Sequence, residues 1–210
     1  MTILVTSVVT VPAATRELTT LETLKAALQL SDADDDYLAL LIAEASAAAE
    51  SYCRRVFAAA TLCDTFRLDA ATWTLRLARR PVTAIASVIE DGTTLTAADY
   101  LLDADSGLLT RLNDDRPSCW LAPATIVATY SAGYLLPGDD GRTLPADIEG
   151  GVIDLIKHAW HGRTRDPAIR SETTPGVYEV TYWIGGAGES GDLPPEVETR
   201  LARYCDYQLA

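Results

Sequence analysis

The chain has 210 residues, 48% of them hydrophobic, and sets 30 Asp and Glu against 17 Lys and Arg for a formal charge of −13. That length can bury a sizeable core. The acidic balance repels a free polyanion and argues against an ordinary nucleic-acid binder. No apolar run approaches the roughly 18–20 residues that span a bilayer. Met1 to Val11 is apolar and Thr-rich but lacks the basic n-region of a secretory signal. Cys53, Cys63, Cys119 and Cys205 form no CxxC pair, so they read as thiols in a reducing compartment, and cytosolic synthesis is expected.

In chain order, Thr19 and Glu22 have capping-box spacing, and Leu21, Leu24 and Leu28 share one helical face. Ser31 and Asp34 repeat that start signal, with Asp34, Asp35 and Asp36 favoured by the dipole of a first turn. A long Ala-rich helix is expected to about Ala58, with Leu38, Leu41, Ile42, Ala45, Ala49, Tyr52 and Val56 as its stripe. From Thr61 the period becomes two. Leu62 to Leu68, Trp73 to Leu77, Ile85 to Ile89, Tyr100 to Leu102, Leu108 to Leu112 and Thr125 to Tyr130 read as short strands. Tight turns at Asp91-Gly92 and Asp105-Ser106-Gly107 make the sheet antiparallel and meandering. Pro145 opens a further helix with Ile148, Val152, Leu155, Ile156 and Trp160 on its apolar face. Gly150-Gly151 costs that helix roughly 1 kcal/mol per glycine, which points to close packing against another backbone. Gly162 to Gly176 reads as a loop, Val177 to Ile184 as a strand and Gly185 to Asp192 as a joint with four glycines. Pro194 begins a last short helix. The expected fold is α+β, with a core of helices and antiparallel sheet over residues 1–163 and a flexible strand–helix tail over 164–210.

Three segments stand in order: the Ala-rich helix ending Ala49-Glu50-Ser51-Tyr52-Cys53-Arg54-Arg55, the step Leu77-Ala78-Arg79-Arg80-Pro81-Val82 leading to Ser87 through Gly92, and Val127 through Tyr134 followed by Leu144-Pro145-Ala146-Asp147-Ile148. Taken in that order, they resemble the head–tail connector adaptors of long-tailed phages and gene transfer agents. The helix close at Trp160-His161-Gly162-Arg163 and the start Leu193-Pro194-Pro195-Glu196-Val197 add to the likeness. The resemblance covers roughly residues 18 to 163 plus the start of the last helix. Gly150-Gly151 and the first dozen residues depart from it.

This resemblance implies a non-enzymatic virion component without cofactor, located in the neck of a phage-like particle. Such adaptors form a ring, commonly of twelve copies, on the portal protein and present a surface to a stopper or tail-completion protein. DNA passes through the bore without being read, and no membrane is involved. Related adaptors dock C-terminal segments into the portal. That makes Tyr178, Val180, Tyr182 and Trp183 of the strand, with Val197, Leu201, Tyr204 and Leu209 of the last helix, candidates for portal docking. Arg54, Arg55, Arg79 and Arg80 are candidates for the interface between subunits, since a basic edge facing an acidic one closes a heterologous ring.

Chemistry-bearing patterns are sparse. Asp154, His158 and His161 have helical metal-like spacing, but the chain has only two histidines and a helix C-terminus accounts for them. No cysteine lies in a nucleophile context. Gly185-Gly186-Ala187-Gly188 lacks the Lys and Ser/Thr of a phosphate loop, and the runs Asp34 to Asp36, Asp114-Asp115 and Asp139-Asp140 lack calcium-loop alternation. No catalytic or metal residue is assigned. The competing reading is a small acidic enzyme or accessory binding domain of unknown substrate.

Overall fold

The computed structural model describes residues 2–30, 34–163, 171–174, 178–181 and 193–206. They form two compact units, one made of Met1–Thr15 and Ala58–Leu135, the other of Arg16–Phe57 and Leu136–Ala210. The unit boundaries therefore fall near residues 15, 57 and 135, whereas composition suggested a break near 163.

The first unit is all β. Its large sheet has the order β1 (Thr2–Val11), β2 (Ala60–Leu68), β9 (Ala124–Ala132), β4 (Val82–Glu90), β5 (Thr93–Thr94). A smaller sheet has the order β3 (Thr74–Arg76), β7 (Leu108–Asn113), β6 (Tyr100–Asp103), with β8 (Arg116–Ser118) also paired to β7. Every strand pair is antiparallel, as the period-two pattern and tight turns required. Chain order and sheet order differ because β9 returns to lie between β2 and β4.

Alternation decides which side chains go inward. Along β2, Ala60, Leu62, Asp64, Phe66 and Leu68 are buried while their neighbours are less so. Ile126, Ala128, Tyr130 and Ala132 do the same on β9, and with Leu75, Leu109 and Trp120 they make one hydrophobic core. Asp64 is the polar member of the inward row and is fully buried. Its Oδ2 accepts from the Tyr130 hydroxyl at 2.8 Å and from the Ala78 N–H at 2.8 Å. The Tyr130 oxygen in turn accepts from the Arg79 N–H at 3.1 Å. This network ties the segment after β3 to the sheet through Oδ2, while Oδ1 of Asp64 is buried without a hydrogen-bond partner among the described residues.

Asp91 and Gly92 both have positive φ, 47° and 83°, the geometry of the tight hairpin turn expected from their sequence. Gly133 answers a different need. At φ 112°, a Cβ there would lie 2.6 Å from the Ala58 carbonyl oxygen, so only glycine fits beside that strand-like bridge.

The second unit is helical, with α1 (Leu21–Leu28), α2 (Asp35–Cys53), α3 (Ala146–Gly162) and α4 (Pro195–Leu201), which runs into a short 3-10 turn at Ala202–Tyr204. The first cap lies one residue later than the capping-box spacing predicted. Thr20, not Thr19, accepts from the Thr23 N–H at 3.2 Å. Thr19 is buried and donates its hydroxyl to Glu149 at 3.1 Å, a tertiary bond invisible to local spacing. Asp34 caps α2 by accepting from the Tyr37 N–H. That helix stops at Cys53, short of the expected Ala58, because Arg54 turns into the left-handed region at φ 52° and closes the last carbonyls. The apolar period continues to Val56, yet the backbone does not.

Leu24, Leu38, Ile42, Ala49, Phe57, Ile148, Val152, Val197 and Leu201 form the buried interior of this unit. Two carboxylates share it. Glu50 is held by Arg16 and accepts from the Phe57 N–H at 3.0 Å, and Glu149 is held by Thr19 and by Arg142 at 2.6 Å. The chain also forms an antiparallel pair, β10 (Ser171–Thr174) with β11 (Tyr178–Thr181). The second strand was expected, whereas the first lies inside the stretch read as a loop. Its residues Ser-Glu-Thr-Thr carry no apolar alternation to signal it.

Candidate functional site

The seat of the last helix explains residues that the sequence left as oddities. On α3, the Gly150-Gly151 pair lies under α4. A Cβ at Gly151 would meet Leu201 at 3.5 Å and Val197 at 3.9 Å, and one at Gly150 would meet the Arg200 guanidinium at 2.6 Å. The close neighbour predicted for these glycines is therefore present, but it is formed by side chains and not by backbone. Around this apolar centre the two helices exchange charges. Arg203 pairs with Asp147, Arg200 with Asp154 at 3.2 Å, and His158 with Glu196 at 2.6 Å.

These contacts give a definite place to the residues with metal-like spacing. Asp154 is occupied by Arg200 and by Lys157, and His158 by Glu196, so each side chain of that pattern that faces α4 already serves the helix pair. The His158 hydrogen bond holds the Glu196 carboxyl below its ordinary range. Among the described residues no group of three or more His, Cys, Asp or Glu is placed to hold a metal ion.

Of the residues expected to dock on a portal, Val197 and Leu201 are fully buried against the chain's own α3. As folded, they offer no stripe to a partner. Tyr204 is half-buried, and Tyr178 and Val180 lie on β11. Tyr182, Trp183 and Leu209 lie outside the described residues.

The arginines expected at a subunit interface divide between the units. Arg54 is exposed at the end of α2, where its left-handed backbone points the side chain away from the helix stripe. Arg55 sits over the Phe57 ring at 5.3 Å and donates to the Tyr204 carbonyl at 3.5 Å. Arg79 and Arg80 belong to the sheet unit and are half-buried, the backbone of Arg79 being fixed by Tyr130.

The cysteines are reduced, and Cys53 is buried beneath α4 with its thiol directed to the Leu201 carbonyl. Burial, reinforced by neighbouring Cys205, pushes the Cys53 thiol up to about 12, the opposite of what a nucleophile needs. Tyr130 is likewise pushed well above its ordinary value, first by burial and then by Asp64. Both are interior structural groups. What the sequence reading passed over is β1. Its Thr and Val residues were described as an apolar N-terminus, although their density of β-branched side chains over Thr2 to Val11 was the signal for a strand.

Comparison with known proteins follows the same lines. One solved chain, from the neck of an empty gene transfer agent particle computed with C6 symmetry, is 15% identical. The likeness covers 100% of this chain and 97% of that one with a TM-score of 0.55. A chain from the virion of a native gene transfer agent particle matches with 15% identity, the same coverage and a TM-score of 0.50. At that identity the likeness is one of fold. Curated proteins provide no match. Residues 18–96, from the entry to α1 through β5, match the family described as phage gp6-like head-tail connector protein. That match spans 79 of the 210 residues, so it marks a likeness of this segment to phage gp6-like head–tail connector proteins.

Proposed function

We propose that the protein is a structural, non-enzymatic adaptor of a phage-like neck, assembling as a ring between a portal protein and a stopper or tail-completion protein while DNA passes through the bore. The observation that carries this reading is the connector-family match over residues 18–96 on a fold whose likeness to a neck protein extends along the whole chain. The C6 symmetry used for that neck supports a ring of copies in multiples of six, in keeping with the twelve that the sequence resemblance implies. The interior placement of Cys53, Asp64 and Tyr130, and the engagement of His158 by Glu196, support a role without catalysis. The charge of −13 suits a channel, since carboxylates near a bore repel phosphate and let a duplex slide.

Portal docking through the C-terminal segment rests on Tyr178 and Val180 of β11, with Tyr182 and Trp183 beside them in sequence and Leu209 next to the C-terminal residue Ala210. Val197 and Leu201 are reserved for the seat on α3. Electron microscopy of the chain mixed with its cognate portal tests the function. A ring seated on the portal is the expected image, and portal particles left bare at saturating protein would refute it.

A further inference from the structure

β1 closes one side of the large sheet and, among the described residues, pairs with β2 alone. Its outer edge is thus a row of backbone donors and acceptors open to another chain. Natural proteins blunt such edges with charge, proline or covering elements. Thr2 to Val11 contains no charged residue and no proline. Its far half is exposed on both faces, with Val8 55%, Val9 44% and Val11 58% accessible. Successive strand residues point to opposite faces, so this exposure is not the ordinary in-and-out alternation of a packed strand.

The sheet surface beside that edge shares its character. Register places Val8 opposite Cys63, Cys63 opposite Thr129 and Thr129 opposite Ser87, one row across four strands. Cys63 and Thr129 alternate with the buried Leu62, Asp64, Ala128 and Tyr130, so this row faces away from the core. The flanking rows, which start at Thr6 and at Val11, are uncharged as well.

We propose that this neutral surface, the free edge of β1 over Thr6–Val11 with the sheet face beside it, is where one copy of the chain meets the next; the inference rests on the ring reading above. Charge selects the occupant. Each copy carries −13, so in a head-to-tail ring the next copy, coming with a different face, meets least repulsion where this one presents no charged side chain. A polyanion would seek Lys or Arg, which this surface lacks. Backbone pairing along β1 supplies affinity without needing opposite charges.

Sedimentation velocity of the full chain at rising concentration, with Val8→Asp and Val8→Arg beside wild type, tests the proposal. Val8 is exposed, so circular dichroism and thermal melting should coincide for all three. The expected result is concentration-dependent association of wild type and its loss, by at least tenfold in affinity, in both variants. Association that survives both substitutions would overturn the location while leaving the ring intact. A wild type that stays monomeric up to its solubility limit would overturn it as well. So would an arginine variant that associates more strongly than wild type, because that would mark an acidic occupant. Absence of any ring on the portal, with these sedimentation results as expected, would count against the proposed function and not against the interface.

Discussion

Replacing Gly151 by alanine should make this protein more stable, and replacing Gly150 should not. Both positions lie inside α3, where glycine costs about 0.8–1.0 kcal/mol relative to alanine. At Gly151 the new methyl would find Leu201 at 3.5 Å and Val197 at 3.9 Å, ordinary contact distances, and it would fill space beneath α4. The helix term and the added contact together give about 1–1.5 kcal/mol. At Gly150 the methyl would sit 2.6 Å from the Arg200 guanidinium, which must swing away and release Asp154. Arg200 is about half exposed, so that ion pair is worth only roughly 0.2–1 kcal/mol, and the two effects nearly cancel. Urea unfolding of both variants measures the difference. Repeating it with Arg200→Ala should restore about 1 kcal/mol of gain to Gly150→Ala, since the obstacle is then gone. A Gly151→Ala protein destabilised by more than about 1 kcal/mol would refute the reasoning. It would mean that α4 sits closer to α3 than side-chain contact and that the glycine is required.

Three further outcomes follow from the same geometry. Tyr130→Phe removes a donor from fully buried Asp64 and an acceptor from the Arg79 N–H, and should cost about 1–3 kcal/mol in chemical denaturation. Arg54→Gly places the residue suited to φ 52° at the end of α2, so stability should hold or rise by up to about 1 kcal/mol. If Arg54 faces acids of a neighbouring subunit, the same variant should assemble poorly on portal, which a pull-down reads without interference from misfolding. The third outcome concerns pH. Glu196 is held below its ordinary range by His158, so its contribution is present above the unfolded carboxylate range and is lost as pH falls through the depressed value. Hydrogen exchange of Val197 to Leu201 should therefore quicken in acid before the sheet residues do, and His158→Ala should remove that difference.

Period-two alternation in β2 and β9, the Asp91-Gly92 turn and the acidic first turn of α2 are local signals that the structure repeats, although α2 is capped by Asp34 and Ser31 lies outside the described residues. They sufficed for an antiparallel α+β protein and, through their shared order, for the likeness to connector adaptors. Spacing favoured Thr19 over Thr20, since Glu22 lies three residues after it, yet the Thr19 hydroxyl is taken by Glu149, 130 residues away, and Thr20 is the cap. The end of α2 was hidden for a similar reason, since an apolar period persists through Val56 while the left-handed turn at Arg54 is a backbone event. For α4 the sequence showed an apolar stripe but not its partner. Gly150-Gly151 signalled a close neighbour for α3, but only the tertiary structure shows that the neighbour is α4, with Val197 and Leu201 turned inward over Gly151. Pairing partners are likewise a tertiary matter. A strand displays its donors and acceptors along its whole length, but only the sheet order shows that, among the described residues, β1 pairs with β2 alone and that β9 lies between β2 and β4.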